Sequence, residues 1–277
     1  MIGDARVVKY GGAKARDRGL SWREVDLTSA PATEPVAYGG GLSGPELLEA
    51  YRAGVFPMPA DGAVGALINR TLHTADTASG RIALLPGRAD PYDLAWHCPD
   101  PMPVIGVPDV HLSHSMRRLL RNRYRGWRTT ANQRFTEVMA RCAGSRKPVW
   151  ITEELTGGMI ALHQAGWAHS IEVWDGETMI GGLFGVATGA VFSADSMFHT
   201  ASNASKVAVA DLADRLSPTP VQLIAVQVLS PHVVAAGASP MDRVRYLSIL
   251  AQLANPVALD PSSQPAARLA TAGQEGS

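Results

Sequence analysis

The chain has 277 residues, 46% of them hydrophobic and 18% charged, and its 25 basic and 25 acidic side chains cancel to a formal net charge of zero. That length can bury one large core or two modest ones, and that composition describes a soluble globular protein. Cys98 and Cys142 are too few for a disulfide framework and have no metal-ligand spacing, the opening residues lack a secretory apolar run, and no stretch of about 18 apolar residues is present to span a bilayer, so a cytoplasmic setting is expected.

Residues 1–36 carry few patterned apolar positions and read as a poorly defined extension. A small α/β unit is expected over 37–110. Within it Ser43 caps a helix over Pro45–Ala53, with Leu47, Leu48 and Tyr51 on one face, and Gly54 ends it. Residues 59–92, rich in Gly, Ala, Asp, Thr and Pro with scattered apolar pairs, read as loop. Leu94–Pro108 is proline-rich and reads as irregular or edge-strand chain.

A larger unit is expected over 111–255. Met116, Leu119 and Leu120 give a helix from Ser113, and Phe135, Val138, Met139 and Cys142 give another over 132–142. These helices and their connection carry Arg117, Arg118, Arg121, Arg123, Arg125, Arg128, Arg134, Arg141, Arg146 and Lys147 against Glu137 alone. Such a concentration suits phosphates, because each one neutralised releases counterions and the guanidinium fork matches phosphate oxygens. A strand over 148–151 and a helix capped by Thr152 and ended near Gly166 come next. Ser170–Trp174 alternates, Asp175-Gly176 turns, Met179–Val186 resumes, and Val191-Phe192 opens a third apolar stretch. Asn203 or Ser205 caps a helix to Leu216. Val221–Leu229 reads as a strand, 241–253 as an amphipathic helix, and 256–277 as a disordered tail. The order predicts a mixed sheet with helices on its faces, an α/β (α+β) fold.

Ser193, Asp195 and Ser196 interrupt the third stretch among apolar neighbours, which points to a shaped pocket. Several segments here carry a resemblance: HSIEVW at 169–174, GG-x-x-GVA-x-G at 181–189, F-x-x-x-S-M-F at 192–198 and Asn203-Ala204-Ser205-Lys206. GG-x-LS at 39–43, Y-x-x-G-x-FP at 51–57, PDP at 99–101 and WIT at 150–152 agree in order. Over roughly residues 36–250 the chain resembles leucyl/phenylalanyl-tRNA–protein transferases. The resemblance implies an acetyltransferase-like mixed sheet preceded by a smaller α/β domain, in which 59–92 is an insertion. It also implies transfer of Leu, Phe or Met from an aminoacyl-tRNA to the N-terminal Arg or Lys of an acceptor protein.

Such chemistry starts from an activated ester, so it needs no cofactor, no metal and no covalent intermediate, only an unprotonated amine, orientation and an oxyanion donor. The absence of G-x-S-x-G, H-E-x-x-H and phosphate-loop motifs is compatible with it. The resemblance assigns Gln227 and Asp195 to the reacting amine and the acceptor. It assigns Trp150, Leu183, Phe192, Ser196, Met197, Phe198 and Ser230 to substrate binding, and Trp96 and His97 to the terminal adenosine. Arg117, Arg118, Arg121, Arg123, Arg125 and Arg128 would meet the tRNA.

The chain departs from the family pattern at several of these places. Asp195 replaces Glu, retracting the charge by roughly 1.5 Å. Ala225 stands where an Asp would polarise Gln227, Ser230 replaces Asn, His97 and Met58 replace Trp, and Met102 replaces Arg. With Ala225 in place either another base serves, for which His199 and His232 are candidates because histidine titrates in the right range, or the substrate's own ester oxygens and water remove the proton. A divergent enzyme acylating a small-molecule amine and a silent tRNA-binding homologue stand as alternatives.

Overall fold

The computed structural model describes residues 20–144, 150–252 and 255–271. Arg146, Lys147, the start of the expected 148–151 strand and Leu253 lie outside them, as does the side chain of His232. The first part of the chain runs β1 (Ala37–Gly39), α1 (Gly44–Ala53), β2 (Phe56–Pro59), α2 (Gly62–Ala78), β3 (Ala83–Leu85) and β4 (Leu94–His97). Next come β5 (Met102–Gly106), α3 (His114–Asn122), β6 (Trp127–Ala131), α4 (Phe135–Gly144) and α5 (Glu153–Gln164). The long strands β7 (Ala168–Asp175), β8 (Thr178–Thr188) and β9 (Val191–His199) are followed by α6 (Ala204–Leu216) and β10 (Leu223–Ala225). The chain closes with α7 (Pro231–Val234), β11 (Ser239–Met241), α8 (Arg243–Leu250), β12 (Gln264–Pro265) and a 3₁₀ turn over 266–270.

The strands form a small sheet, β2-β4-β1-β3, and a large one, β11-β5-β10-β9-β8-β7-β6-β12. Both mix parallel and antiparallel pairs, so the expected α+β class is what the structure has. α1, α4 and α5 cover one face of the large sheet over Phe135, Met159, Phe184 and Phe198. α3, α6 and the 266–270 turn cover the other over Met116, Leu183, Phe192 and Leu212. Among the described residues no helix is long and apolar enough to cross a membrane.

Several expectations need correcting. The 59–92 stretch is no loop: it holds α2, whose only buried residue is Ala66, while Val64, Leu67, Ile68 and Leu72 face solvent. Leu94–Pro108 contributes β4 to the small sheet and β5 to the large one. The connection between the two basic helices is a strand, β6, which places Arg128 on the sheet. The helix expected from 132 starts at Phe135, because Asn132 adopts φ 61°. Trp150-Ile151 is not strand, although Thr152 does cap α5 by accepting from the Leu155 N–H. The 221–229 strand shortens to β10 because its neighbour diverges, and the 241–253 helix starts at Arg243.

Residues 1–19 and 272–277 lie outside the described residues, but the described parts of the expected extension and of the expected disordered tail both pack. Arg243, 2% exposed, donates to the carbonyls of Leu27, Ala30 and Pro31, and Trp22 meets Trp96 edge-on at 5.1 Å. Residues 256–271 are no disordered tail either: Val257, Leu259, Ala266 and Leu269 are buried against α3 and α6, and Arg268 reaches Asp211.

Candidate active site

β9 and β10 run parallel and pair only over Val191–Ser193 and Leu223–Ala225. Beyond them β9 continues while the other strand ends, so the sheet splits at the C-terminal ends of two parallel strands. That geometry is where open α/β sheets receive ligands. The split is widened by a β-bulge: Phe184 pairs with Ser196 and Gly185 with Ala194, leaving Asp195 as the extra residue. Bulges re-aim side chains. Gly185 allows this one, since a Cβ there would stand 2.0 Å from the Ser193 carbonyl oxygen.

Asp195 is thereby turned into the interior with 7% exposure. Its Oδ1 accepts from Gln227 Nε2 at 2.7 Å and Ser193 Oγ at 2.9 Å, and its Oδ2 accepts from Tyr51 Oη at 2.7 Å. Every donor is neutral. Desolvation therefore dominates, and the carboxyl is raised to about 7 despite the three hydrogen bonds. Burial and the adjoining carboxylate push the Tyr51 hydroxyl well above its ordinary range, so it stays a donor. Gln227 arrives with φ 59°, a left-handed turn directly after β10 that carries its amide across the split. Ala225 brings no charge to this end of β10, and Asp195 itself holds the Gln227 amide. A small cavity of about 10 Å³ lined by Tyr51, Phe56, Ser193, Ala225, Gln227 and Tyr246 lies beneath this contact.

On the other face of the split opens an apolar cavity of about 80 Å³. Ala194 and Met197 line it from one arm and Ile224 and Val226 from the other, with Leu183, Met116, Val209, Leu212 and Val233 closing the walls. Ser113, His111 and Lys206 bring polar groups to it. α3 thus presents Met116 to the cavity, while Arg118, Arg121, Arg123 and Arg125 point to solvent. Arg117 is half-buried and donates to the Leu112 carbonyl at 3.0 Å.

The structure separates the remaining expected site residues. Trp96 is 1% exposed and donates to the Gly39 carbonyl at 2.7 Å, so its ring faces are not free for a base. His97 stacks on Phe56 at 5.8 Å in the small sheet, and burial lowers it to about 4. Phe192 is fully buried behind the cavity wall, and Phe198 lies on the opposite sheet face beneath Arg141. Trp150 packs on that same opposite face. Ser196 is buried with an unpartnered hydroxyl, and Ser230 precedes α7 without a capping bond. Arg128 leaves the α3 surface altogether and sits 5.0 Å over Trp174, beside Glu177. His199 is exposed at the end of β9. Tyr51, His111 and Met116 join the site without having been assigned to it; the Y-x-x-G-x-FP motif gave a signal for Tyr51, and Ser193 belongs to the interrupted stretch that pointed to a pocket.

A sequence model of the family described as leucyl/phenylalanyl-tRNA protein transferase matches residues 104–251, which include both arms of the split. Curated proteins carrying that name align over about four-fifths of the chain. One from Shewanella baltica strain OS195 is 38% identical over 231 residues, 82% of this chain and 84% of its own. One from strain OS155 is 39% identical over 223 residues, 79% and 81%, and one from Shewanella sp. strain ANA-3 is 38% identical over 234, 82% and 86%. The chain belongs to the leucyl/phenylalanyl-tRNA–protein transferase family. In this family member the split, its bulge and the Asp195–Gln227 contact fall inside the matched segment.

Proposed function

We propose that the protein is an aminoacyltransferase that moves an apolar aminoacyl group from tRNA to the N-terminal Arg or Lys of an acceptor protein. The observation that carries this reading is the Asp195–Gln227 hydrogen bond across a split sheet that opens onto an apolar cavity. In the transfer, the acceptor amine attacks the ester carbonyl, the ester C–O bond breaks, and the amine's proton leaves with the ribose hydroxyl. The cavity holds the aminoacyl side chain, with Leu183 and Met197 as its predicted members. A pocket of this kind discriminates a methylene by only about 1–3 kcal/mol, which suits acceptance of Leu, Phe and Met together.

Gln227 spends its amide nitrogen on Asp195, so its carbonyl oxygen is the group left to receive an N–H of the incoming amine. Asp195, balanced near neutral pH, orients that amide so that its oxygen holds the amine, whose proton leaves with the ribose hydroxyl. The outward arginines of α3 stand beside the cavity and are assigned to the acceptor-stem phosphates; Arg128 is not. Incubation with radiolabelled Leu-, Phe- and Met-tRNA plus an Arg-terminal protein tests the reading. Label in the acceptor supports it, and tRNA binding with no label in any acceptor overturns it.

A further inference from the structure

The two faces of α2 are unlike. Ala66, Asn69, His73 and Thr77 turn to the small sheet: Ala66 is buried, Asn69 donates to the Tyr92 carbonyl at 3.0 Å, Thr77 meets the Tyr92 hydroxyl at 2.8 Å, and the His73 ring lies 5.7 Å from that of Tyr38. The opposite face is a stripe of Val64, Leu67, Ile68, Thr71, Leu72 and Ala75, all exposed, at the three- and four-residue spacing that lines up one side of a helix. Val64 is 70% exposed, Leu67 62%, Ile68 53% and Leu72 65%. The Thr71 hydroxyl donates to the Leu67 carbonyl at 2.8 Å, so no polar group on the stripe needs an outside partner. Leu84, 44% exposed, pairs in register with Tyr38 and so extends the apolar surface on the α2 side of the sheet. Single exposed apolar side chains are ordinary, but a continuous patch of them marks a contact surface.

The order of the stripe says which contact. Its spacing reads the same from either end: a two-fold that turns one helix end for end against another sets Val64 on Ala75, Leu67 on Leu72 and Ile68 on Thr71. A surface that complements itself under such a rotation is what a symmetric dimer requires. No charge sits on the stripe. Arg70, beside it, is held by Asp90 at 2.8 Å and lies over the Tyr92 ring, so two copies meet without repulsion. The end-for-end arrangement also opposes the two helix dipoles, with the N-cap Asp61 of each copy at the favourable end. The helix lacks the rows of Lys and Arg that hold an amphipathic helix on lipid.

We propose that α2 is a self-association surface, on which a second copy of this chain lays its own α2 in antiparallel fashion. The 17 residues of α2 span about 25 Å, and one helix face of that length falls short of the roughly 800 Å² per partner of a standard interface. The dimer is therefore weak and concentration-dependent, with a dissociation constant of about 10 μM. No residue of the stripe lines either cavity at the split, so the pairing stands apart from the transfer reaction.

Sedimentation equilibrium of the full chain over about 1–300 μM should show monomer passing to dimer. Leu67→Lys or Leu72→Glu alone should weaken pairing at least about tenfold, because the two-fold places each new charge in the interface twice. Both sites are exposed and both replacements are good helix formers, so the circular dichroism of each variant should match the parent. Combining the two changes in one chain should recover most of the parental affinity, since each new lysine then faces a new glutamate of the partner subunit. A parent that stays monomeric throughout, because residues 1–19 or another protein cover α2, overturns the proposal. So does a parent that moves to lipid vesicles instead of pairing, single variants that dimerise as the parent does, or a combined variant no better than the single ones.

Discussion

Two aspartates are buried at the large sheet, and their partners set them apart. Asp211 on α6 is fully buried and meets two guanidiniums, Arg215 at 2.8 Å and Arg268, together with the Thr129 hydroxyl at 2.6 Å. Asp195 on β9 is nearly as buried and meets only neutral donors. The first is a clamp: its partner Arg215 also donates to the carbonyls of Asp260 and Ser262 and so fastens the C-terminal segment to the sheet. The second is a carboxyl kept near its titration point, at the mouth of a split. Burial does not make a site; a buried charge without a countercharge does.

The comparison breaks most readily at Asp211. Asp211→Ala leaves two guanidiniums without their carboxylate and should cost about 3–5 kcal/mol in chemical denaturation. The pH profile of transfer by the folded remainder should not move; a shifted profile would erase the distinction. At Asp195 the sign is different. Its folded pKa, about 7, lies above its unfolded value, so the stability it confers is present in acid and is lost as pH rises through about 7. Asp195→Asn should therefore be more stable than the parent above neutrality, by up to about 4 kcal/mol, with the gain shrinking toward pH 4. A gain independent of pH would place the carboxyl's titration elsewhere.

Smaller effects sharpen the picture around the split. Met197→Phe fills the apolar cavity and should turn preference from Phe-tRNA toward Leu-tRNA by about 1–3 kcal/mol in relative kcat/KM. Unchanged preference would move the aminoacyl side chain out of this cavity. Arg121→Ala removes one outward charge of α3, and the salt slope of tRNA affinity should flatten by about one. The same change at Arg128, packed on Trp174, should leave the slope alone.

β7 and β8 were legible from the alternation of Ser170–Trp174, the Asp175-Gly176 turn and the apolar run Met179–Val186, whereas of β9 only the Val191-Phe192 opening was, because Ser193, Asp195 and Ser196 interrupt its apolar run. α1, α5 and α6 were legible from their caps and apolar stripes. α2 was not, because its apolar side faces solvent and only Ala66 is buried, so no core-facing stripe exists to be read. β6 hid among arginines, since Trp127, Thr129 and Thr130 bury their side chains while Arg128 lies along the rim. At the site, Asp195 and Gln227 came from motif positions, and so did Leu183 and Met197. Their mutual hydrogen bond depends on a one-residue bulge and a left-handed Gln227, which no spacing announces. Trp96 and Phe198 match motif positions too, yet burial and the alternation of the strand turn them away from the cavity.

The account depends on Asp195 and Gln227 acting together across the split. Single-turnover transfer from Leu-tRNA to an Arg-terminal acceptor, measured for Asp195→Asn and Gln227→Ala beside tRNA affinity, tests this most directly. Each variant should lose about 100-fold in rate, the scale of acid–base and positioning effects, while binding tRNA as the parent does. Transfer at the parental rate in either variant would contradict the account.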